Sequence, residues 1–223
     1  MKPQKIALFG TSGEINHRLA MEALRRGHHV TAIVPDKNEF TMQHPNLRIV
    51  KGDVKNKEDI RRYAKGRDVI IYTLESTKTQ SRELVYITRL VIEAVKNSGV
   101  NNLLFAAHPL GLPAEIGEEF YGFLKPVIKA QREALELFQN EKGLQWEYVH
   151  SVEPEAKREK GKYRISHETL FTHPEGESRI PETEYASALI DKIEKDVIGF
   201  PLYNKENSAN RNFSVTKTSN AIY

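Results

Sequence analysis

Apolar and polar positions follow two alternating periods over the first two thirds of the chain. Short apolar runs bounded by turn residues alternate with longer segments whose apolar positions recur every three to four residues. The short runs are Ile6 to Phe9, Val30 to Val34, Leu47 to Val50, Val69 to Thr73, Leu103 to Ala107 and Trp146 to His150. They predict six strands, and their near-continuous apolar character suits a parallel sheet covered on both faces. The segments between them read as crossover helices, so the pattern predicts an α/β fold with a doubly wound parallel sheet in three α/β/α layers.

The helical segments carry their own stops. Ile15, Leu19, Ala23 and Leu24 share one face, with Gly27 placed as a C-terminal stop. Asn56 is placed to cap "KEDIRRYAKG", with Asp59 in the first turn where the helix dipole favours an acid. Leu84, Ile87, Val91, Ala94 and Val95 form the clearest stripe, closed by Ser98 and Gly99. A long helix is expected from about Glu119 to Asn140, kinked or restarted at Pro126. After Val149 the alternation ends. Residues 151 to 181 read as an excursion with a short hairpin, followed by a helix from Glu182 to Lys195 and a last strand at Asn212 to Val215. This tail is too short for a separate domain, so 1–223 is expected to be one domain, with 1–150 as core and 151–223 lying over the carboxyl ends of the strands.

Composition narrows the class without changing this picture. Lys and Arg number 33 against 30 Asp and Glu, and the signs are mixed along the chain. No basic cluster marks a nucleic-acid or membrane surface; "EPEAKREKGKYR" alternates in sign and reads as a solvated loop. The absence of cysteine removes disulfides, thiolate nucleophiles and sulfur-based zinc sites. No run approaches the length of a membrane helix, and a cytoplasmic protein is expected. His28, His29, His44, His167 and His173 show no metal-ligand spacing, so no metal is expected.

The candidate chemistry begins at "FGTSGEIN", where Gly10 and Gly13 follow the first strand and precede the first helix. Glycine there permits a turn that is costly for other residues and lets backbone approach a pyrophosphate at the helix N-terminus. With a second strand about twenty residues on, the G-x-x-G-x-x-N spacing reads as a dinucleotide-binding turn formed by Gly10, Thr11, Ser12, Gly13, Glu14 and Ile15. Asn16 stands where a third glycine permits close helix packing, and either pushes the helix outward or sits in a different place. Glu14 suits the helix dipole but repels a pyrophosphate. At the end of the second strand Asp36 favours the ribose diol of NAD(H), whereas Lys37 keeps NADP(H) open. Asp53 and Val54 are placed near the adenine, and Thr73 to Glu75, with Leu74 between them, near the ribose. Each of these is equally readable as an exposed turn residue.

The chain resembles the atypical short-chain dehydrogenase/reductase group with NmrA-like and NADH-flavin reductase-like members. "ALRRGHHVTAIV", "HPNLRIVKGDVKNKEDI" and "KGRDVIIYTL" are similar to the family's first half. "GLQWEYV", "GKYRI" and above all "GESRIPETEYASALIDKIE" are similar to its second half. The resemblance implies a Rossmann-like domain binding NAD(P)H, with hydride passed to a flavin or quinone-like acceptor. NmrA-like members imply an alternative, a non-catalytic redox sensor or regulator acting through a partner protein; a scaffold that has lost dinucleotide binding is a third reading. A homodimer is compatible with each. The family's glycine-rich loop after the fifth strand is replaced here by "AAHPLGL", and its R-P or S-P pair after the sixth by "HSVEP".

Tyr121 and Lys125 satisfy the Y-x-x-x-K spacing that puts phenol and ammonium on one helical face, where the lysine lowers the phenol pKa. Lys129 matches the family's helix lysine as well. His108 and His150 follow strand ends and can donate to an acceptor carbonyl or a nicotinamide amide, or can be satisfied loop histidines. Tyr163 and Arg164 either cover the acceptor from the tail side or form an exposed strand edge.

Overall fold

The computed structural model describes residues 2–10, 13–53, 55–75, 81–100, 102–108, 118–151, 154–155, 163–166, 180–197 and 210–217. Ten strands and five α-helices follow in chain order: β1 (Lys5–Phe9), α1 (Glu14–Arg25), β2 (His29–Val34), β3 (Leu47–Lys51), α2 (Lys57–Ala64), β4 (Val69–Glu75), α3 (Ser81–Lys96), β5 (Asn102–His108), α4 (Glu118–Gln139), β6 (Gln145–Ser151), β7 (Pro154–Glu155), β8 (Tyr163–Ser166), β9 (Ile180–Pro181), α5 (Glu182–Val197) and β10 (Asn210–Lys217). The main sheet runs β3-β2-β1-β4-β5-β6-β10-β8. It is parallel up to β10, and β8 closes the edge antiparallel to it. This is a Rossmann-like doubly wound α/β sheet, and the six predicted strands stand where the apolar runs put them.

Side-chain alternation along each strand builds two cores, one per face. Ile6 and Leu8 of β1, Val69 and Ile71 of β4, and Leu104 and Ala106 of β5 pack with α1 and α5. Ala7 and Phe9, Ile70 and Tyr72, and Leu103 and Phe105 pack with α2, α3 and α4. Across that second face the rings of Phe9, Tyr72, Phe105, Phe138 and Trp146 form a continuous series, with successive centroids 6.2, 5.4, 5.1 and 5.2 Å apart. Such a series adds directional aromatic contacts to area burial and ties β1, β4, β5, β6 and α4 together.

Helix ends follow the predicted signals. Asn56 Oδ1 accepts from the Glu58 and Asp59 N–H groups at 2.9 and 3.2 Å, so α2 is side-chain capped. α1 ends before Gly27, whose φ of 85° is the left-handed conformation a helix stop requires. Of the two alternatives at Pro126 the restart is not found: α4 runs through it as one helix, and Pro126 is exposed, so water can satisfy the carbonyl that the missing N–H leaves behind. One expectation is corrected. The segment after β6 is not a hairpin among its described residues: β7 pairs with β9, and β8 pairs with β10. Both partners lie far along the chain, beyond the reach of a local turn pattern.

Candidate functional site

β1 to β6 are mutually parallel, so their carboxyl ends share one edge. That edge gathers Gly10 after β1, Asp36 after β2, Asp53 after β3, Thr73 to Glu75 in β4, His108 ending β5 and His150 near the end of β6. The strand order reverses between β1 and β4, where the crevice of a doubly wound sheet opens.

Gly10 sits at that reversal with φ of 152°, and a Cβ there would lie 2.1 Å from Thr73 Oγ1 and 2.7 Å from Asn16 Nδ2. Both conformation and space therefore require glycine. Gly13 is the N-cap of α1, and among the described residues no side chain caps the helix there. By helix geometry the Glu14 and Ile15 N–H groups have no intrahelical acceptor, so the turn offers backbone donors and the positive end of the helix dipole. A glycine cradle with no capping side chain suits an anionic group such as a pyrophosphate.

Glu14 turns along the helix to pair with Arg18 at 2.7 Å, with side chains 63% and 36% exposed. Its charge is thereby directed away from the turn and partly offset. Asn16 does not push α1 outward: it is buried, and its Oδ1 accepts from Thr73 Oγ1 at 2.7 Å. Ile15, Leu19, Ala20, Ala23 and Leu24 keep the helix seated on the sheet. Thr73 lies at the crevice end of β4, but its hydroxyl points inward, toward Asn16 and, at 3.4 Å, the Phe9 carbonyl. His17 stacks on buried Phe40, with ring centroids 4.1 Å apart, and its Nδ1 lies 3.4 Å from the Gly13 carbonyl oxygen.

After β2, Asp36 is exposed and its Oδ1 accepts from Asn38 N at 3.0 Å, capping a short 3-10 turn that carries Lys37. Asp53 Oδ1 accepts from Lys55 N at 2.8 Å, while Asp53 N donates to Asp59 Oδ2 at 2.9 Å. Both acids are turn-forming and stand at the crevice edge. Beneath them Tyr72 is fully buried, and burial, with Asp53 adding, pushes its phenol far above the ordinary value. It stays neutral and belongs to the core.

Thr11, Ser12 and Val54 lie outside the described residues, as does most of "AAHPLGL". Leu74, His108 and His150 are described as strand positions. Glu75 and His108 are register partners, as are Ala107 and His150. Tyr121 and Lys125 lie in the first half of α4. Lys125 stands one turn before Lys129, whose side chain is 78% exposed and pairs with Glu133 at 3.6 Å. Tyr163 and Arg164 are in edge strand β8.

A second group of residues joins the C-terminal end of α1 to α5. Arg26, at the end of α1, donates to Asp191, to Glu194 Oε2 at 2.7 Å and to Ser187 Oγ at 2.8 Å of α5, and also to Glu22 Oε1 at 2.7 Å. Glu22 is held down at about 2, chiefly by the hydrogen bond from Arg25, with burial opposing and Arg26 adding. The Arg26 guanidinium is pushed up: burial opposes its charge, and the Asp191, Glu22 and Glu194 carboxylates outweigh it. Buried His28 accepts the Gln4 N–H at Nδ1 (3.1 Å), which places its proton on Nε2, 3.0 Å from Glu194 Oε1. Lys192 of α5 pairs with Glu147 of β6 at 2.8 Å. The pairings of Arg26 and His28 with α5 were not legible in the sequence, because those partners lie 161 to 168 residues apart.

Among the described residues no group of histidine, cysteine and acidic side chains could hold a metal ion. No described helix is long and apolar enough to cross a membrane. Two surface grooves, of about 400 Å³ beside Arg18, Met21 and His44 and about 360 Å³ beside Lys57, Tyr86 and Arg89, lie outside the crevice.

A family model described as NAD(P)H-binding matches residues 10–196. The chain is 26% identical over 203 residues to "Uncharacterized protein YwnB" of Bacillus subtilis, covering 85% of this chain and 92% of that one. A crystal structure from Bacteroides thetaiotaomicron, described as a "putative epimerase", is 25% identical with a TM-score of 0.79, covering 98% of this chain and 99% of that one. One from Streptococcus pneumoniae, described as a "putative NADH-flavin reductase", is 24% identical with a TM-score of 0.70, covering 96% and 100%.

Proposed function

The chain belongs to the NAD(P)H-binding family, and from that premise we propose that it is an NAD(P)H-dependent oxidoreductase of flavin-reductase type. The observation that carries this reading is the turn from β1 to α1: Gly10 tolerates no Cβ, no described side chain caps the helix, and Glu14 is paired away with Arg18. The description of the Streptococcus pneumoniae structure supports the acceptor class. In this reading Gly10, Gly13 and the Glu14 and Ile15 N–H groups hold the pyrophosphate, with Thr11 and Ser12 beside it. Asp36 takes the adenosine ribose and tips preference toward NAD(H) over NADP(H); Asp53 and Val54 flank the adenine, and Leu74 and His150 the crevice beyond.

When bound, the nicotinamide supplies a hydride, which with one proton reduces a flavin or quinone-like acceptor by two electrons. The chain's own task is to hold donor and acceptor rings in contact and exclude water. His108, ending β5, is the candidate proton donor, with the Tyr121 and Lys125 positions of α4 as the second candidate. Stopped-flow oxidation of NADH and NADPH with FMN, FAD and a quinone tests this reading. Acceptor-dependent oxidation that falls in His108→Ala supports it. Tight dinucleotide binding without turnover of any acceptor replaces it with a redox-sensing role, acting through a partner protein. Absence of binding leaves a scaffold.

A further inference from the structure

The third position of the glycine motif holds a side chain that has been turned into part of the fold. Asn16 is 2% exposed and Thr73 is 2% exposed, and the 2.7 Å hydrogen bond between them joins the first turn of α1 to the crevice end of β4. Gly10 lies against both: its hypothetical Cβ would strike Thr73 Oγ1 and Asn16 Nδ2. Thr73 also reaches the Phe9 carbonyl at 3.4 Å, immediately before Gly10. One hydroxyl therefore contacts the last residue of β1, the helix that follows it and, through its own backbone, the neighbouring strand. In the commoner motif a third glycine secures this closeness by having no side chain. Here a hydrogen bond between two buried side chains does so.

We propose that Asn16 and Thr73 are positioning residues for dinucleotide binding, a latch that holds the Gly10 turn and the α1 N-terminus at fixed separation from β4. The inference rests on the reading that this turn binds a dinucleotide. Neither side chain needs to touch the ligand. Thr73 donates, Asn16 Oδ1 accepts, and the turn is presented with its backbone donors already in place. Without the bond the turn must be ordered as the ligand binds, and that cost appears in affinity.

Thr73→Val keeps shape and removes the donor; Thr73→Ser keeps the donor; Asn16→Gly restores the commoner glycine and removes the acceptor. Two readouts are taken on the full chain: NADH affinity by fluorescence titration, and amide hydrogen exchange without ligand at residues 16–18, the first bonded amides of α1. Expected are about tenfold weaker binding for Thr73→Val and Asn16→Gly, with faster exchange confined to residues 16–18, and near-wild-type values for Thr73→Ser. The proposal is overturned if Thr73→Val and Asn16→Gly bind as tightly as wild type, or if Thr73→Ser loses as much as Thr73→Val. Should wild type bind no dinucleotide, the functional reading fails separately. Exchange then decides the latch: selective loss of protection at 16–18 upholds it, and unchanged protection overturns it.

Discussion

Replacing Arg26 by methionine tests whether the polar seam between α1 and α5 holds the C-terminal part of the chain on the core. Methionine keeps much of the apolar stem and removes the guanidinium that Asp191, Glu194, Ser187 and Glu22 share. Breaking a buried ion pair by deleting one partner costs about 3–5 kcal/mol. Here the side chains of Arg26, Asp191 and Glu194 are 15%, 26% and 11% exposed, so water and counter-ions recover part of the loss. A cost of about 2–3 kcal/mol follows after that discount. For a chain of this size each kcal/mol lowers Tm by about 2–4 °C, giving a fall of about 4–12 °C at pH 7. The loss also carries a pH signature. Glu22 is held at about 2 in the folded chain against 4.5 ordinarily, so its stabilisation is present above 4.5 and lost as pH falls toward 2. Arg26 supplies part of that depression, so the gap between variant and wild type narrows across the same window. Thermal unfolding followed by circular dichroism from pH 7 to pH 3 measures both. A deficit below about 1 kcal/mol at pH 7, or one that stays constant with pH, would refute the electrostatic account and leave only the packing of the stem.

Three further outcomes follow from the same geometry. Glu14→Gln should tighten NADH binding by only about two- to fivefold at low salt, because Arg18 already offsets the carboxylate and screening weakens what remains; a tenfold or greater gain in dinucleotide titrations would mean that Glu14 faces the phosphates. Asn56→Ala removes both capping bonds of α2 and should cost about 1 kcal/mol in urea unfolding with an unchanged m-value. Asp36→Asn should narrow any preference for NADH over NADPH, read from paired dissociation constants; an unchanged ratio would remove Asp36 from the ribose site.

The strands were legible because a sheet covered on both faces leaves a simple mark, apolar runs such as Ile6 to Phe9 and Val69 to Thr73, and because Asn56, Gly27 and Gly99 signal helix ends by local chemistry. The turn was legible for the same reason: glycine at position 10 answers to backbone conformation and to one neighbouring strand. What escaped the sequence depends on direction and distance. Glu14 could face the phosphates or Arg18, and only the helix's i, i+4 geometry in place decides for Arg18. Asn16 looked like a defect in the motif until its partner, Thr73, fifty-seven residues on, was in position. Thr73 reads from the sequence as lining the ribose side, and nothing local signals that its hydroxyl bonds Asn16 Oδ1. The pairing of β7 with β9 and of β8 with β10 is long-range register, which local periodicity does not encode.

If the turn at Gly10 is a working dinucleotide site and not merely a glycine-bearing corner, isothermal titration of NADH gives saturable binding by wild type and none by Gly10→Ala, whose methyl would meet Thr73 Oγ1 at 2.1 Å. Circular dichroism checks that the variant is folded. Equal binding by the two proteins, or no binding by wild type at millimolar NADH or NADPH, would show that the turn is only a corner of the fold.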